Sequence, residues 1–504
     1  MADVLDSVKK RVEDPAAPQG SASASGNPVS ALVELGARLD AAAGSDPKAR
    51  SLALAAIQDE SAVHVAALLT RYLANAAGTP AAREAAWKSL VGFQLRLTQA
   101  LCMSAGAELT AAAAVRALSA CRILAKLHLV HSAAVPGRVW HVAYALHAAA
   151  EKAGCTAAPV RAQSDPRSMT SVDQELLRLL MLHVSAPDTL PPEEIELADR
   201  IVERLGAEFT LRQPGVADNP FCFEPGGESG PRRAKDTQPA ASARYFGPGM
   251  AYESLERIGR QPGAGEEFRP FGKDIAPGAQ LHTVQHLLAL WRADPPPAPA
   301  ALAPATGSVR VLHGFGEVWS DLSRTRHGGE LSLAATSPNV PRPAETWQLR
   351  GAGASELALE VPQESRAWLK CGELVGLLRD GAEHWIGIVQ RLHARPDGGL
   401  QAEVAVLSRA PEARTLRRVF RKGEDRAYTE AASKQFGMSS VRGLILGAEP
   451  GKPVDLMLPP DHWAQGRVFE LEKDSELHYL GDGRVVRRGD DYVLAAFERV
   501  AAPG

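Results

Sequence analysis

Two stretches of the chain hold residues whose types and spacing could do chemistry. Residues 414–426, RTLRRVFRKGEDR, carry six basic side chains against two acidic ones. Arg417 and Arg421 stand four apart, as do Arg414 and Arg418. An arginine fork pairs with planar oxyanions through parallel hydrogen bonds and stacks on flat rings, which lysine does less well. MSSVRGLIL (438–446) follows, with Ser440 and Gly443 in an S-x-x-G-L-x-L arrangement. A dianion binding here would be held by Arg417, Arg421 and Ser440, with Arg418 and Arg442 assisting and Gly443 leaving room for close approach. The plainer reading is a solvated basic segment leading into a strand.

The other chemistry-bearing groups read as structural. HTVQH (282–286) puts two imidazoles four apart, but Thr283 stands where a metalloprotease helix carries its glutamate. We therefore expect a packed or surface pair and no metal. The five cysteines, at 102, 121, 155, 222 and 371, form no C-x-x-C. That argues against a zinc knuckle or a disulfide framework and suits a reducing cytoplasm. Cys371 is expected in an apolar strand of the core. Glu193 and Glu194 suit a helix start, Asp490 and Asp491 a turn, and GFG at 314–316 another turn. With no phosphate loop, nucleophile elbow or kinase signature, the expectation is a non-enzymatic protein without a cofactor.

The elements that would position these residues divide the chain. Its 504 residues are 23% charged and 45% apolar with net charge -3, ordinary soluble chemistry without the basic excess of a DNA binder. No signal peptide or membrane span is expected, so any action at a membrane would run through a partner. Residues 1–28 include a Pro/Ser/Ala-rich leader, expected to be disordered. From 29 to 292 apolar residues recur at i, i+3, i+4 and i+7, predicting an all-α bundle or stack with an irregular stretch at 214–276. Wide apolar faces there would offer grooves to a protein partner. Residues 293–307, ADPPPAPAALAPATG, read as a Pro/Ala linker. Beyond it, short alternating segments predict antiparallel β-barrel architecture: one barrel over 308–412, including RVLHGFGEVWSDL and GELSLAA, and a second or an extension over 413–504. The fold class is multidomain α + β, and Trp319, Trp347, Trp368 and Trp385 are expected to pack in or on the barrel.

Three pieces of the first β region resemble the PilZ family, the cyclic-di-GMP receptor module of bacteria. WQLRGAGASELAL (347–359) stands where that family has W-x-L-x-[DN]-x-S-x-x-G. WLKCGELVGLL (368–378) is similar to its v-G-e-l-v strand. HWIGIVQRL (384–392) with QAEVAVLS (401–408) is similar to its W-x-G-x-V-R-x-L hairpin. The resemblance implies a small antiparallel barrel, with cyclic-di-GMP held between an R-x-x-x-R segment and the [DN]-x-S-x-x-G strand. Here Gly351, Gly353 and Glu356 replace the family's ligand residues, and 293–308 holds no arginine; Arg310, Arg324 and Arg326 lie elsewhere. The R-x-x-x-R…S-x-x-G order recurs at Arg417–Gly443. The implied role is a cytoplasmic signalling adaptor regulating motility, adhesion or envelope functions through protein partners, with cyclic-di-GMP as ligand. The alternative is a ligand-free scaffold that keeps only the barrel.

Overall fold

The computed structural model describes residues 27–74, 80–162, 168–185, 187–213, 219–260, 268–294, 302–326, 344–379, 383–395, 399–419, 440–447, 452–473 and 476–501. Most of the expected leader, GELSLAA (329–335) and Arg421 lie outside these residues.

The N-terminal body is built from α1 (Pro28–Ala43), α2 (Pro47–Leu73), α3 (Pro80–Ala107), α4 (Ala111–Val130), α5 (Gly137–Lys152), α6 (Val172–Val184), α7 (Pro192–Leu205), α8 (Ala251–Gly259) and α9 (Pro277–Trp291). The side chains of Asn27, Asp46, Thr110 and Ser171 each accept a first-turn backbone N–H, fixing where α1, α2, α4 and α6 begin. Proline opens α1, α2, α7 and α9, where its missing N–H costs nothing. One core runs through the body, with Leu54, Leu90, Leu118, Leu180, Ile201 and Leu287 nearly inaccessible. Ala114, Ala117, Ala120, Ala125 and Ala143 are buried among them, letting the axes approach closely. α2 is long and apolar enough by composition to cross a membrane, and 39% of its most apolar window is buried inside this protein.

The expected irregular stretch is more ordered than its Gly/Pro content suggests. Thr210–Arg212, Arg244–Gly247, Phe221–Phe223 and Arg232–Arg233 pair in that order as an antiparallel sheet, and α8 follows. Phe221, Phe223 and Phe246 supply the reason, being buried against the helices. Strands of two to four residues are too short to show an alternation in sequence.

The first barrel comprises β1 (Ser308–His313), β2 (Glu345–Ala352), β3 (Glu356–Val361), β4 (Leu374–Arg379), β5 (Glu383–Ala394) and β6 (Leu400–Ser408). All pairs are antiparallel, in the order β2–β3–β6–β5–β4–β1, and β1 closes on β2. The second comprises β7 (Glu412–Val419), β8 (Ser440–Gly447), β9 (Val454–Leu458), β10 (Val468–Lys473), β11 (Glu476–Arg488) and β12 (Val493–Val500). It closes as β7–β8–β9–β12–β11–β10, so the C-terminal region is a barrel in its own right, and not an extension of the first. Trp347, Leu359, Val389 and Val404 fill the first interior, and Leu416, Leu456, Phe469 and Phe497 the second.

A third core joins the barrels flank to flank. Leu312, Leu374, Ile386 and Ile388 of the first meet Leu444, Met457 and Leu494 of the second. Between them lies α10 (Gly314–Arg326), which corrects the expected strand and turn at RVLHGFGEVWSDL. Phe315, Val318, Trp319 and Leu322 are spaced i, i+3, i+4 and i+7, a helical stripe, and all four join this core. Gly314 turns the chain out of β1 at φ +83°, and Asp491 of the second barrel accepts the Phe315 N–H at 2.6 Å.

Candidate functional site

On β7 and β8 the register decides which predicted residues can act together. Leu416 lies opposite Val441, and both fill the barrel interior. Residues directly opposite across an antiparallel pair share a face, and faces alternate along each strand. Arg417 opposite Ser440, and Thr415 opposite Arg442, therefore face outward. This places Arg417, Ser440 and Arg442 on one outer surface. The Arg417 side chain is 71% exposed, with Glu470 Oε1 3.5 Å away on β10. The Arg442 guanidinium lies over the Trp319 ring, 5.0 Å from its centroid, and the Trp319 indole N–H donates to the Arg414 carbonyl at 3.2 Å. Sequence reasoning placed Trp319 in barrel packing and missed it as the platform under Arg442.

The same register separates the other predicted residues. Arg418 stands opposite the fully buried Phe469, on the inner face near the end of the barrel. Gly443 also faces inward: a Cβ there would meet Leu416 at 2.8 Å and Leu456 at 3.0 Å. Its lack of a side chain leaves room for those two side chains in the core. Residues 412–419 are the first strand of the barrel, whereas the plainer sequence reading made 414–426 a solvated segment leading into a strand. Arg414, the other half of the 414/418 pair, is tied to Glu412 two residues away.

The first barrel treats its PilZ-type position differently. WQLRGAGASELAL folds as the β2–β3 hairpin, and Ala303–Pro304 of the expected linker pairs with Gly351 and Ala352 as a short added strand. Cβ atoms at Gly351 and Gly353 would meet Leu302 at 3.1 and 2.9 Å. The chain's own linker thus covers this surface. Trp347 and Trp385 are buried as expected, and Trp368 packs against the same core and stacks on His313 with ring centroids 4.0 Å apart. Arg324 is paired with Asp321 at 2.8 Å, and Arg310 is exposed on β1.

In the helical body the imidazole pair is structural. His282 Nδ1 lies 2.6 Å from Glu194, whose hydrogen bond raises the His282 pKa. His286 Nε2 donates to the Ser185 carbonyl at 2.8 Å, and burial lowers its pKa. Among the described residues no group of three or more His, Cys, Asp or Glu could hold a metal. Sequence reasoning also missed a cleft of about 990 Å³ between α2, α4 and α7. Its floor carries Arg122 bonded to Asp199, and Lys126 bridging Asp199 at 2.8 Å and Glu196 at 2.9 Å. Burial would raise the Asp199 carboxyl, but Arg122 and Lys126 overcome it and hold the group at about 2. One Arg122 donor, Nε, has no hydrogen-bond partner there.

An α-helical body followed by two six-stranded antiparallel barrels, the first built on PilZ-like hairpins, defines the class of this protein as multidomain α + β. Residues 22–215 match the family model described as "Cyclic-di-GMP receptor FimW, N-terminal domain". The matched stretch spans α1 to α7, and this part of the chain is similar to that domain. No curated protein and no solved structure matches the chain.

Proposed function

We propose that the chain is a non-enzymatic signalling adaptor that receives cyclic-di-GMP on the outer face of β7–β8. Arg417 and Arg442 bind the phosphates, Ser440 hydrogen-bonds from between them, and Arg421 extends the basic segment, with Arg418, on the inner face, assisting from the barrel end. The observation that carries this reading is the register: it puts two guanidiniums and a hydroxyl on one exposed surface, backed by an indole. Guanidinium forks suit phosphate, and cation–π contact with Trp319 steadies one of them. The name of the matched family supports the ligand class. The adaptor acts in the cytoplasm, and the helical body passes the signal to protein partners in motility, adhesion or envelope processes.

The test is calorimetric titration of cyclic-di-GMP into the full-length protein and into Arg417→Ala/Arg442→Ala. Binding in the wild type that weakens at least roughly tenfold in the double variant is expected, since two charge-assisted bonds are lost. Binding kept at full strength in the variant would move the site elsewhere. No heat in either protein would favour the second reading, a ligand-free scaffold, which the linker laid over Gly351 and Gly353 also favours.

A further inference from the structure

Three bodies of the molecule meet at one loop. Residues Lys370–Gly372 precede β4, and each is held from outside the first barrel. The Lys370 ammonium lies 2.6 Å from Asp490 of the second barrel and 3.9 Å from Glu193 in the first turn of α7. The buried Cys371, expected inside a strand, sits instead in this turn, and its thiol donates to the Asp188 carbonyl at 3.2 Å. Gly372, at φ +90°, accepts the Tyr492 hydroxyl at 3.0 Å, and a Cβ on it would lie 3.9 Å from Pro191. Asp188 also pairs with Arg391 at 3.4 Å and His393 at 3.6 Å on β5. The segment 188–193 of the helical body and the turn 490–492 of the second barrel therefore grip the same loop.

That loop reaches the cleft. Glu193, Lys370 and Asp490 line it together with α2, whose Ala62, Ala66, Thr70 and Ala74 form the facing wall. α7 supplies the wall beside them through Glu193, Glu196, Asp199, Arg200 and Glu203. The ties on α7 are unequal. Its middle is fixed to α4 by the buried Asp199 network, with Asp199 only 4% exposed. Its start is fixed to α9 by the buried Glu194, which meets His282 at 2.6 Å and Thr283 at 3.2 Å, and is tied to the barrels by the longer Glu193–Lys370 pair, with Glu193 39% exposed. Partly exposed pairs hold weakly, whereas breaking a buried pair is costly. The tie between α7 and the barrels is thus the one that can part.

We infer that the Lys370–Gly372 loop is a joint through which the position of the two barrels sets the width of the helical cleft. Barrel movement that draws Lys370 and Asp490 away from Glu193 widens the cleft on that side, because all three line it. This coupling does not depend on which ligand the second barrel takes.

The test is hydrogen exchange by mass spectrometry on the full-length protein, comparing wild type, Lys370→Met and Lys370→Arg. Lys370→Met should speed exchange roughly three- to tenfold over residues 192–198 and 488–494, the effect of losing a partly exposed ion pair, with α4 unchanged. Lys370→Arg, which keeps the charge, should stay near wild type. Labelling of an Ala66→Cys thiol, read by peptide mass, should quicken in the Lys370→Met background. Changes confined to residues 368–374, or an unchanged labelling rate at position 66, would overturn the joint. If Lys370→Met fails to fold, Asp490→Asn on its exposed turn serves instead. It must loosen residues 192–198 as well as its own turn, and loosening of its own turn alone would overturn the inference.

Discussion

The two barrels share strand number, closure and antiparallel pairing, yet they treat the same sequence signal in opposite ways. In the first, the glycines at the PilZ-type position face the chain's own linker, with Leu302 seated on them. In the second, Gly443, which stands where the first barrel has Glu356, faces the interior, and Arg417 and Arg442 on its strand pair are left on the outside. A glycine in a motif can thus serve an outside neighbour or an inside one, and only the strand register distinguishes them. One barrel has covered its surface, and the other has left a charged one open.

The largest effect should come from asking whether the barrels stand or fall together. Trp347→Ala empties the centre of the first barrel and should cost about 3–5 kcal/mol. Because the two share the core of Leu374, Ile386, Leu444 and Met457, urea unfolding should show the second barrel losing its structure in the same transition. Two separated transitions would break the picture of a joined pair.

Next is Gly443→Ala, which presses a methyl against Leu416 and Leu456 and should cost about 1–3 kcal/mol by overpacking. Gly353→Ala meets only the Leu302 side-chain tip at 2.9 Å and the Glu356 carbonyl at 3.7 Å, and should cost less. Thermal midpoints of the two variants give the comparison, and equal losses would remove the inside–outside distinction.

Acid should separate the helical body from both barrels. Burial lowers the pKa of His131 and of His183 to about 4. A base with a depressed folded pKa gives stability that is present above its unfolded value and lost as pH falls from about 6.5 toward 4. Each should contribute about 1–2 kcal/mol of loss by pH 5. Urea midpoints at pH 7.5 and 5 should therefore converge partway in His131→Gln, and an unchanged gap would discard this account.

The smallest effect is expected at Arg417. Its exposed pairing with Glu470 should contribute less than about 0.5 kcal/mol, so Arg417→Ala should leave the thermal midpoint nearly unchanged. A loss of ligand affinity in that variant would then report binding. A large drop in the midpoint would make the residue structural instead.

Much of the helical body was legible because a repeat of 3.6 residues persists over 13 to 28 residues in α1 to α7 and α9. The barrels were legible from short alternating segments, and the R-x-x-x-R…S-x-x-G order led to the strand pair that carries the basic face. What stayed hidden has physical reasons. α10 was read as strand because its apolar stripe follows β1 directly, with only Gly314 to mark the turn. Arg417 and Arg418 were read as one cluster because a linear motif does not show that neighbours on a strand face opposite ways. The cleft depends on helices far apart in sequence, and its floor, Arg122 with Asp199, joins residues 77 apart.

The flank-to-flank core also bears on how the molecule can be cut. A chain ending near Ser408 would bare Leu312, Leu374, Ile386 and Ile388 as one aliphatic patch, and would leave the start of α10 without its Asp491 cap. A piece beginning at Glu412 would bare Leu444, Met457 and Leu494. Fragments cut at the apparent boundary would be sticky and prone to self-association, each seeking the surface the other half supplied. For expression, crystallisation or grafting, a unit spanning residues 302–501 keeps the face between the two barrels covered.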